Sequence, residues 1–393
     1  MRRSALTVLL GIGSASCAHG GPPPPVRPTA AELSQWIDAY VAAADHDRPP
    51  AERMSGFVGV AKAGQWVHQR GYRVDPTDAV PGPDTRFRIG SISKQFGAMV
   101  ILKLAEQGRL RMTDPVGAHV DGLGAAVAAV PMEHLLSHSS GIVDFTEDEA
   151  LMSTWMQPHS LDDLLRTVRY APLRFVPGTR FEYCNTNYLL LALVADRLAG
   201  GFEAYLQAHV LGPAGMRRSG TVDAPDLPDT ARGHTAGAHG ERVAAPVSDM
   251  ILGFPGMLRA TGNDLRAWDR AYARHAVLSV RAQDDMLSPR MSQLPAEVRD
   301  AVPTLLGYGY GVNVLCDHGH EIQGHGGRMA GFDAFFARIP ADHWAVVILT
   351  DSDQIESRAL GKAILQMLLT GAPVLPGGES QGEPCADPAT RAR

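Results

Sequence analysis

The stretch RFRIGSISKQFGAMVILKLAEQGRL, residues 86–110, sets a serine and a lysine three positions apart, Ser91 and Lys94, at the start of a strongly apolar helical pattern. The lysine is the informative residue. The chain has four lysines (Lys62, Lys94, Lys103 and Lys362) among 36 lysine and arginine residues, so wherever any positive charge serves, arginine has been used. Arginine keeps its proton in a protein, whereas a lysine deprived of water gives it up. Three-residue spacing on a helix brings the two side chains together on one face. Burial there lowers the ammonium pKa, and a neutral amine beside a hydroxyl can take its proton and leave an alkoxide nucleophile. A serine in the first turn also stands where free backbone N–H groups and the helix dipole favour developing negative charge. Taken alone, S-x-x-K equally describes a capping serine followed by a snorkelling surface lysine.

Two further stretches carry chemistry of the same kind. RFEYCNTNYLLLALVADRLAG places Tyr183 and Asn185 just ahead of another apolar helix. A tyrosine beside a cationic lysine is drawn toward phenolate and can exchange protons with a bound substrate. An asparagine amide can both donate to and accept from a substrate amide. IQGHGGRMAGFDAFFARIP places His325, Gly326 and Gly327 on a strand, where glycines mark the close approach of a ligand or another backbone. The N–H of Arg328 can then join that of Ser91 as two donors aimed at an oxyanion. The bland counterparts are a core tyrosine, a helix-capping Asn185 or Thr186, and a hairpin carrying a surface histidine.

The elements that would hold these residues are readable. TAAELSQWIDAYVAAA begins with Thr29 as an N-cap and Glu32 three residues on, and sets Leu33, Trp36, Ile37 and Tyr40 on one face. FVGVAKAGQWVHQRGYR alternates about Ala63-Gly64 and reads as two strands joined by a tight turn. From Ile92 to about Arg290 helical patterns dominate, and strands return with YGYGVNVLCDHGHEIQGHGG, FDAFFARIP and HWAVVILTD before a closing helix, IESRALGKAILQMLL. The expected fold class is α+β: an antiparallel sheet built from both chain ends and flanked by helices, with an inserted, mostly helical subdomain and a groove where the two parts meet.

Ser91-Ile-Ser-Lys94, Tyr183-Cys-Asn185 and His325-Gly-Gly327 occur in that order on helix, loop and strand. Together they resemble the three motifs of the penicillin-recognising serine hydrolases, which include class C β-lactamases, D-alanyl-D-alanine carboxypeptidases, D-aminopeptidases and related esterases. The phrases MEHLLSHSSGI, GFPGMLRATGNDL and GYGYGV support the likeness, which runs from about Ser55 to Leu369. The resemblance implies a β-lactamase/transpeptidase-like fold, Ser91 as the acylated nucleophile and Lys94 as its base. It further implies Tyr183 as proton shuttle, Asn185 and His325-Gly326-Gly327 as substrate-binding groups, and the N–H groups of Ser91 and Arg328 as the oxyanion hole. No metal or other cofactor is called for. β-Lactamases normally carry lysine where this chain has His325. Imidazole is a weaker carboxylate anchor, which favours a peptidase or esterase, with Arg328 as a replacement charge that keeps the lactamase reading open. The expectation is an exported serine hydrolase cleaving an ester or a D-amino-acid peptide or amide bond. The alternatives are a β-lactamase and a non-catalytic covalent sensor of β-lactams or cell-wall peptides.

Residues 1–18 read as an export signal, with the basic start MRR, the apolar ALTVLLGIG and the small residues SASCA, so a periplasmic or secreted protein is expected. Cleavage before Cys17 would free that cysteine for lipid attachment, although Ser14 stands where bacterial lipoprotein signals usually carry leucine. Membrane contact is expected only through these features. Residues 19–28 read as a proline-rich spacer, 29–371 as the hydrolase domain and 372–393 as an unstructured tail. A formal net charge of −6 and the absence of basic runs with interleaved aromatics point away from nucleic acid and toward a small-molecule or peptide substrate. Cys184, Cys316 and Cys385 form no metal-ligand spacing; one disulfide is permitted, and lone thiols are the expected state. A metal site built from Asp317, His318, His320 and His325 is the weaker reading of CDHGHEI, which looks instead like a hairpin turn about Gly319.

Overall fold

The computed structural model describes residues 27–154, 157, 159–221, 229–245, 258–290, 295, 297–298, 302–378 and 382–384. The export signal with Cys17, most of the spacer, and Cys385 lie outside the described residues.

Helix α1, Ala30–Asp45, opens on the capping box expected at Thr29 and Glu32, and buries Leu33, Ile37, Tyr40 and Val41. Strands β1, Gly56–Lys62, and β2, Gln65–Tyr72, follow, joined at Ala63 and Gly64. Both turn residues have positive φ (48° and 74°), as a two-residue hairpin turn requires. Helix α2, Ser93–Glu106, and helix α3, Asn185–Ala199, form the centre of the helical part and pack on each other. Helix α4, Gly262–Ala273, lies nearby; its Trp268 stacks on Phe96 of α2 at 4.2 Å between ring centroids. The chain then returns to the sheet as β3 Leu305–Tyr308, β4 Asn313–Asp317, β5 His320–Met329, β6 Phe332–Ile339 and β7 Trp344–Thr350, and ends with helix α5, Ser357–Thr370.

The seven-stranded sheet runs β2-β1-β7-β6-β5-β4-β3, and β1 from the start of the chain pairs antiparallel with β7 from its end (Phe57↔Leu349, Val58↔Ile348). Alternation along each strand divides two hydrophobic layers. Val58, Val60, Val346, Ile348, Phe335 and Ile339 point to the layer with α1 and α5. Phe57, Val347, Leu349, Ala334 and Phe336 point to the helical part with α2 and α3. Both faces of β7 are therefore covered, which is why WAVVIL, 344–349, is apolar throughout. The α+β architecture read from the sequence is the one observed.

Three readings need correction. The expected state of lone thiols does not hold, because Cys316 is disulfide-bonded while Cys184 is free and buried. Part of the segment expected to be unstructured is seated on the sheet: Pro384 bridges Asp317, and His318 N–H donates to Glu383 O at 2.9 Å. The ladder with β3 ends at Leu315, and beyond it the end of β4 offers backbone groups that this segment meets. Finally, Ser91 is not in the α-helix proper but in a single 3-10 turn, Gly90–Ile92, that leads into α2. The hairpin about Gly319 is present, with His318 and Gly319 both at positive φ.

Candidate active site

The turn bearing Ser91 is fixed from both sides. Ahead of it, Phe87–Arg88 pairs with Leu258–Ala260, and Ile89 N–H donates to Leu258 O at 3.0 Å. Behind it, Ser93 Oγ accepts from Leu258 N–H at 3.1 Å. Helix α2 is buried on all sides over Ser93–Leu102, so Lys94 has no route to water and is 0% exposed. Its Nζ lies 2.9 Å from Ser91 Oγ and 2.9 Å from Asn185 Oδ1. Burial pulls the lysine down from 10.5 to about 7, against the opposing pull of Asp144 and Cys184. Near neutral pH the amine is therefore free of its extra proton for much of the time and touches a hydroxyl whose proton it can take.

Asn185 opens α3, and its orientation comes from a residue far away in sequence. Asp144 Oδ2 accepts from the Asn185 backbone N–H at 2.7 Å and from its Nδ2 at 3.1 Å. With Nδ2 held by the carboxylate, Oδ1 is left facing Lys94. Tyr183 stands at the mouth of the site, 37% exposed, with its ring centroid 4.8 Å from Lys94 Nζ. Desolvation pushes its phenol above the ordinary tyrosine value, while a hydrogen bond with Ser91 acts in the opposite direction. The expectation that a cationic lysine draws this tyrosine toward phenolate is thus not met, because the cost of desolvating the phenolate outweighs the pulls that would lower it. Tyr183 is a phenol at rest, able to give a proton and take one back.

Strand β5 carries the third group. β4 pairs with β5 only as far as Gly324↔Asn313. Beyond that point the Gly90–Ser91 turn lies against this strand, backbone to backbone. Gly90 has φ +50°, and a Cβ there would meet Arg328 N at 2.9 Å. The N–H groups of Ser91 and Arg328, expected to act as a pair, thus belong to two backbones in direct contact. His325 is 6% exposed and its Nε2 is 3.0 Å from Tyr308 Oη. Burial, and then Lys94, drop it to about 3, so it is a neutral hydrogen-bonding group.

Arg328, the replacement charge expected from the sequence, has its Nε paired with Asp333 Oδ2 at 2.6 Å. The cation beside the strand is Arg358, on the first turn of α5: a Cβ at Gly326 would lie 3.2 Å from its Nη2. Arg358, His325 and Gly326 line a common cavity of about 420 Å³. Sequence reasoning passed over Arg358, since nothing in ESRALG marks one arginine out, and it passed over Asp144 because the link to Asn185 is purely tertiary.

The Beta-lactamase family matches this chain over residues 33–369. A D-aminopeptidase of Brucella anthropi is 29% identical over 288 residues, covering 70% of this chain and 52% of the relative. Protein flp of Staphylococcus aureus (strain MW2) is 29% identical over 196 residues, 48% of this chain and 38% of the relative. The chain thus spans from about two fifths to half the length of these relatives. The octameric penicillin-binding protein homologue from Pyrococcus abyssi superposes with a TM-score of 0.74 at 26% identity, covering 89% of this chain and 78% of that one. The likeness spans the seven-stranded sheet and the helical part together, and the three motifs lie inside the matched range. The chain belongs to the Beta-lactamase family and shares its serine-hydrolase fold.

Proposed function

We propose that this protein is an exported hydrolase that forms an acyl-enzyme on Ser91 and cleaves amide or ester bonds, with D-amino-acid peptides or amides as the favoured substrate class. The observation that carries the reading is the pair of Ser91 and Lys94, 2.9 Å apart, with the amine wholly buried and poised at about 7. The neutral Lys94 accepts the Ser91 proton as Oγ attacks the substrate carbonyl, and the N–H groups of Ser91 and Arg328 receive the developing oxyanion. Tyr183 gives its phenol proton to the departing amine or alkoxide and regains one from the Lys94 ammonium. In the second half, water attacks the acyl group, its proton passes to the same pair and from there to Ser91 Oγ as the acyl–oxygen bond breaks, restoring the serine hydroxyl. Asn185 holds the substrate amide while Asp144 keeps its side chain turned.

The substrate class rests on two supports. A neutral His325 makes a poor carboxylate clamp, which weighs against the β-lactamase reading. The relative named as a D-aminopeptidase matches 70% of this chain. Arg358 gives the alternative its one specific footing, since its charge bears on both Tyr183 and His325 and a cation there can meet a substrate carboxylate. Export rests on the pattern of residues 1–18 and implies a periplasmic or secreted site of action. The test is a panel of p-nitrophenyl esters, D-alanyl peptides and amides, and nitrocefin, run beside fluorophosphonate labelling and mass spectrometry of the Ser91 peptide. Turnover of D-amino-acid substrates with an adduct on Ser91 supports the reading. A burst of labelling with no turnover of any substrate replaces it with a covalent sensor.

A further inference from the structure

The segment MEHLLSHSSGI has no part in the chemistry above, yet one of its residues grips the chain on both sides of Tyr183. His138 sits just past the short helix Met132–Leu136 and is 0% exposed. Its backbone carbonyl accepts from Glu182 N–H at 2.9 Å, and its ring Nδ1 accepts from Cys184 N–H at 3.1 Å. The residues before and after Tyr183 are therefore both bonded to His138. The ring lies on Tyr183 itself, with centroids 4.3 Å apart and planes 35° from parallel. Its other neighbours are Tyr308 at 4.8 Å, which bonds His325, and Tyr188 at 5.2 Å.

We propose that His138 is a positioning residue that fixes the Tyr183 phenol on Ser91, by holding the backbone on either side of Tyr183 and backing its ring. The proposal rests on the acyl-enzyme reading of Ser91. Three observations support a role beyond filling space. Nδ1 faces two donors, Cys184 N–H and, at 3.4 Å, Asn187 Nδ2, so the ring is the tautomer with its proton on Nε2. Nε2 is buried and finds no hydrogen-bond partner among the described residues, so a leucine would spare the core an unsatisfied donor. The residue also adopts φ +55°, a left-handed conformation that histidine adopts at a cost. His275 also combines positive φ with an unpaired ring nitrogen, so what sets His138 apart is its hold on the residues on both sides of Tyr183. The positive φ accounts for the geometry as well, since it lets the carbonyl and the side chain of one residue reach the same neighbouring strand of chain.

The experiment compares the full chain with the variants His138→Asn, His138→Gln and His138→Leu, using a p-nitrophenyl ester for kcat and KM and a fluorophosphonate for the acylation rate. Asparagine places its amide oxygen where Nδ1 stands and tolerates positive φ. Glutamine carries the same group one bond farther out, and leucine has none. We expect kcat to fall by about 10²-fold in the Leu and Gln variants with KM within about twofold, because a misplacement of about 1 Å in a reacting group has that effect. His138→Asn recovers at least about tenfold of this loss. Should the Leu variant fail to fold, the comparison of Asn with Gln decides alone. Equal kcat for Asn and Gln, or a loss that appears mainly in KM, overturns the proposal. Failure of fluorophosphonate to label the parent protein at Ser91 overturns the acyl-enzyme reading instead, so the two failures are told apart.

Discussion

Gly327 lies under the Ser91 turn with no room for a side chain: a Cβ there would sit 2.0 Å from Ile89 O and 2.9 Å from Ser91 N. Both obstacles are backbone atoms, so nothing flexible can give way. The site is assembled where these two backbones meet, one from the sheet and one from the helical part. Gly327→Ala must push the Ser91 turn off β5, parting the two N–H groups proposed to hold the oxyanion. It is expected to lower kcat/KM by about 10²-fold or more, the scale of losing one oxyanion donor, measured on the ester that the parent turns over fastest.

The buried amine sets the pH dependence of acylation. Because Lys94 is held at about 7, kcat/KM is expected to rise with pH through that value as the neutral amine appears. Asp144 raises the lysine's pKa, so Asp144→Asn moves the rising limb to lower pH while loosening Asn185. A limb that moves upward, or stays put, contradicts this assignment. Lys94→Arg keeps the charge without the basicity and is expected to cut kcat/KM by about 10³-fold or more.

The same residue weakens the fold. Its folded-state value, about 7, lies below its ordinary 10.5. Between those values the unfolded chain binds the extra proton, so the penalty grows as pH falls from 10.5 to 7 and is constant below that. Lys94→Met removes it. The stability gained over the parent in urea unfolding is expected to be larger at pH 6 than at pH 9 by about 2 to 3 kcal/mol. A gain that does not change with pH shows the amine to be as well solvated in the fold as out of it.

Arg358 and Arg328 are separable. Arg358→Gln is expected to raise KM by about tenfold or more for substrates with a free carboxylate and to leave neutral esters within about twofold, as loss of one charge-assisted bond does. Arg328→Gln removes a guanidinium already paired with Asp333 and should leave both classes nearly unchanged, since the backbone N–H remains. Equal effects of the two substitutions on carboxylate substrates refute the distinction.

What the sequence disclosed was local. The capping box at Thr29 and Glu32, the turn at Ala63-Gly64 and the shared face of Ser91 and Lys94 each depend on residues within four positions of one another, and all three are present. Features that depend on distant chain were hidden. Asp144 orients Asn185 across 41 residues, His138 grips Cys184 across 46, and Arg358 reaches Gly326 from a different element. The state of Tyr183 was hidden for a related reason: desolvation of its own phenol in the folded site sets the direction of its shift, and residue spacing does not show that burial. The tail at 382–384 looked unstructured by composition because the end of β4 that receives it cannot be seen in the tail itself.

The scarcity of lysine permits a direct measurement of the central claim. With lysine labelled at Cε and Nζ, the protein has only four such sites, and the Lys94 signal is the one missing from a Lys94→Met sample. Following these signals by NMR against pH, we predict that the Lys94 signal titrates near 7. If it instead holds its proton until about pH 10, as a water-exposed amine does, Lys94 is not the base that prepares Ser91.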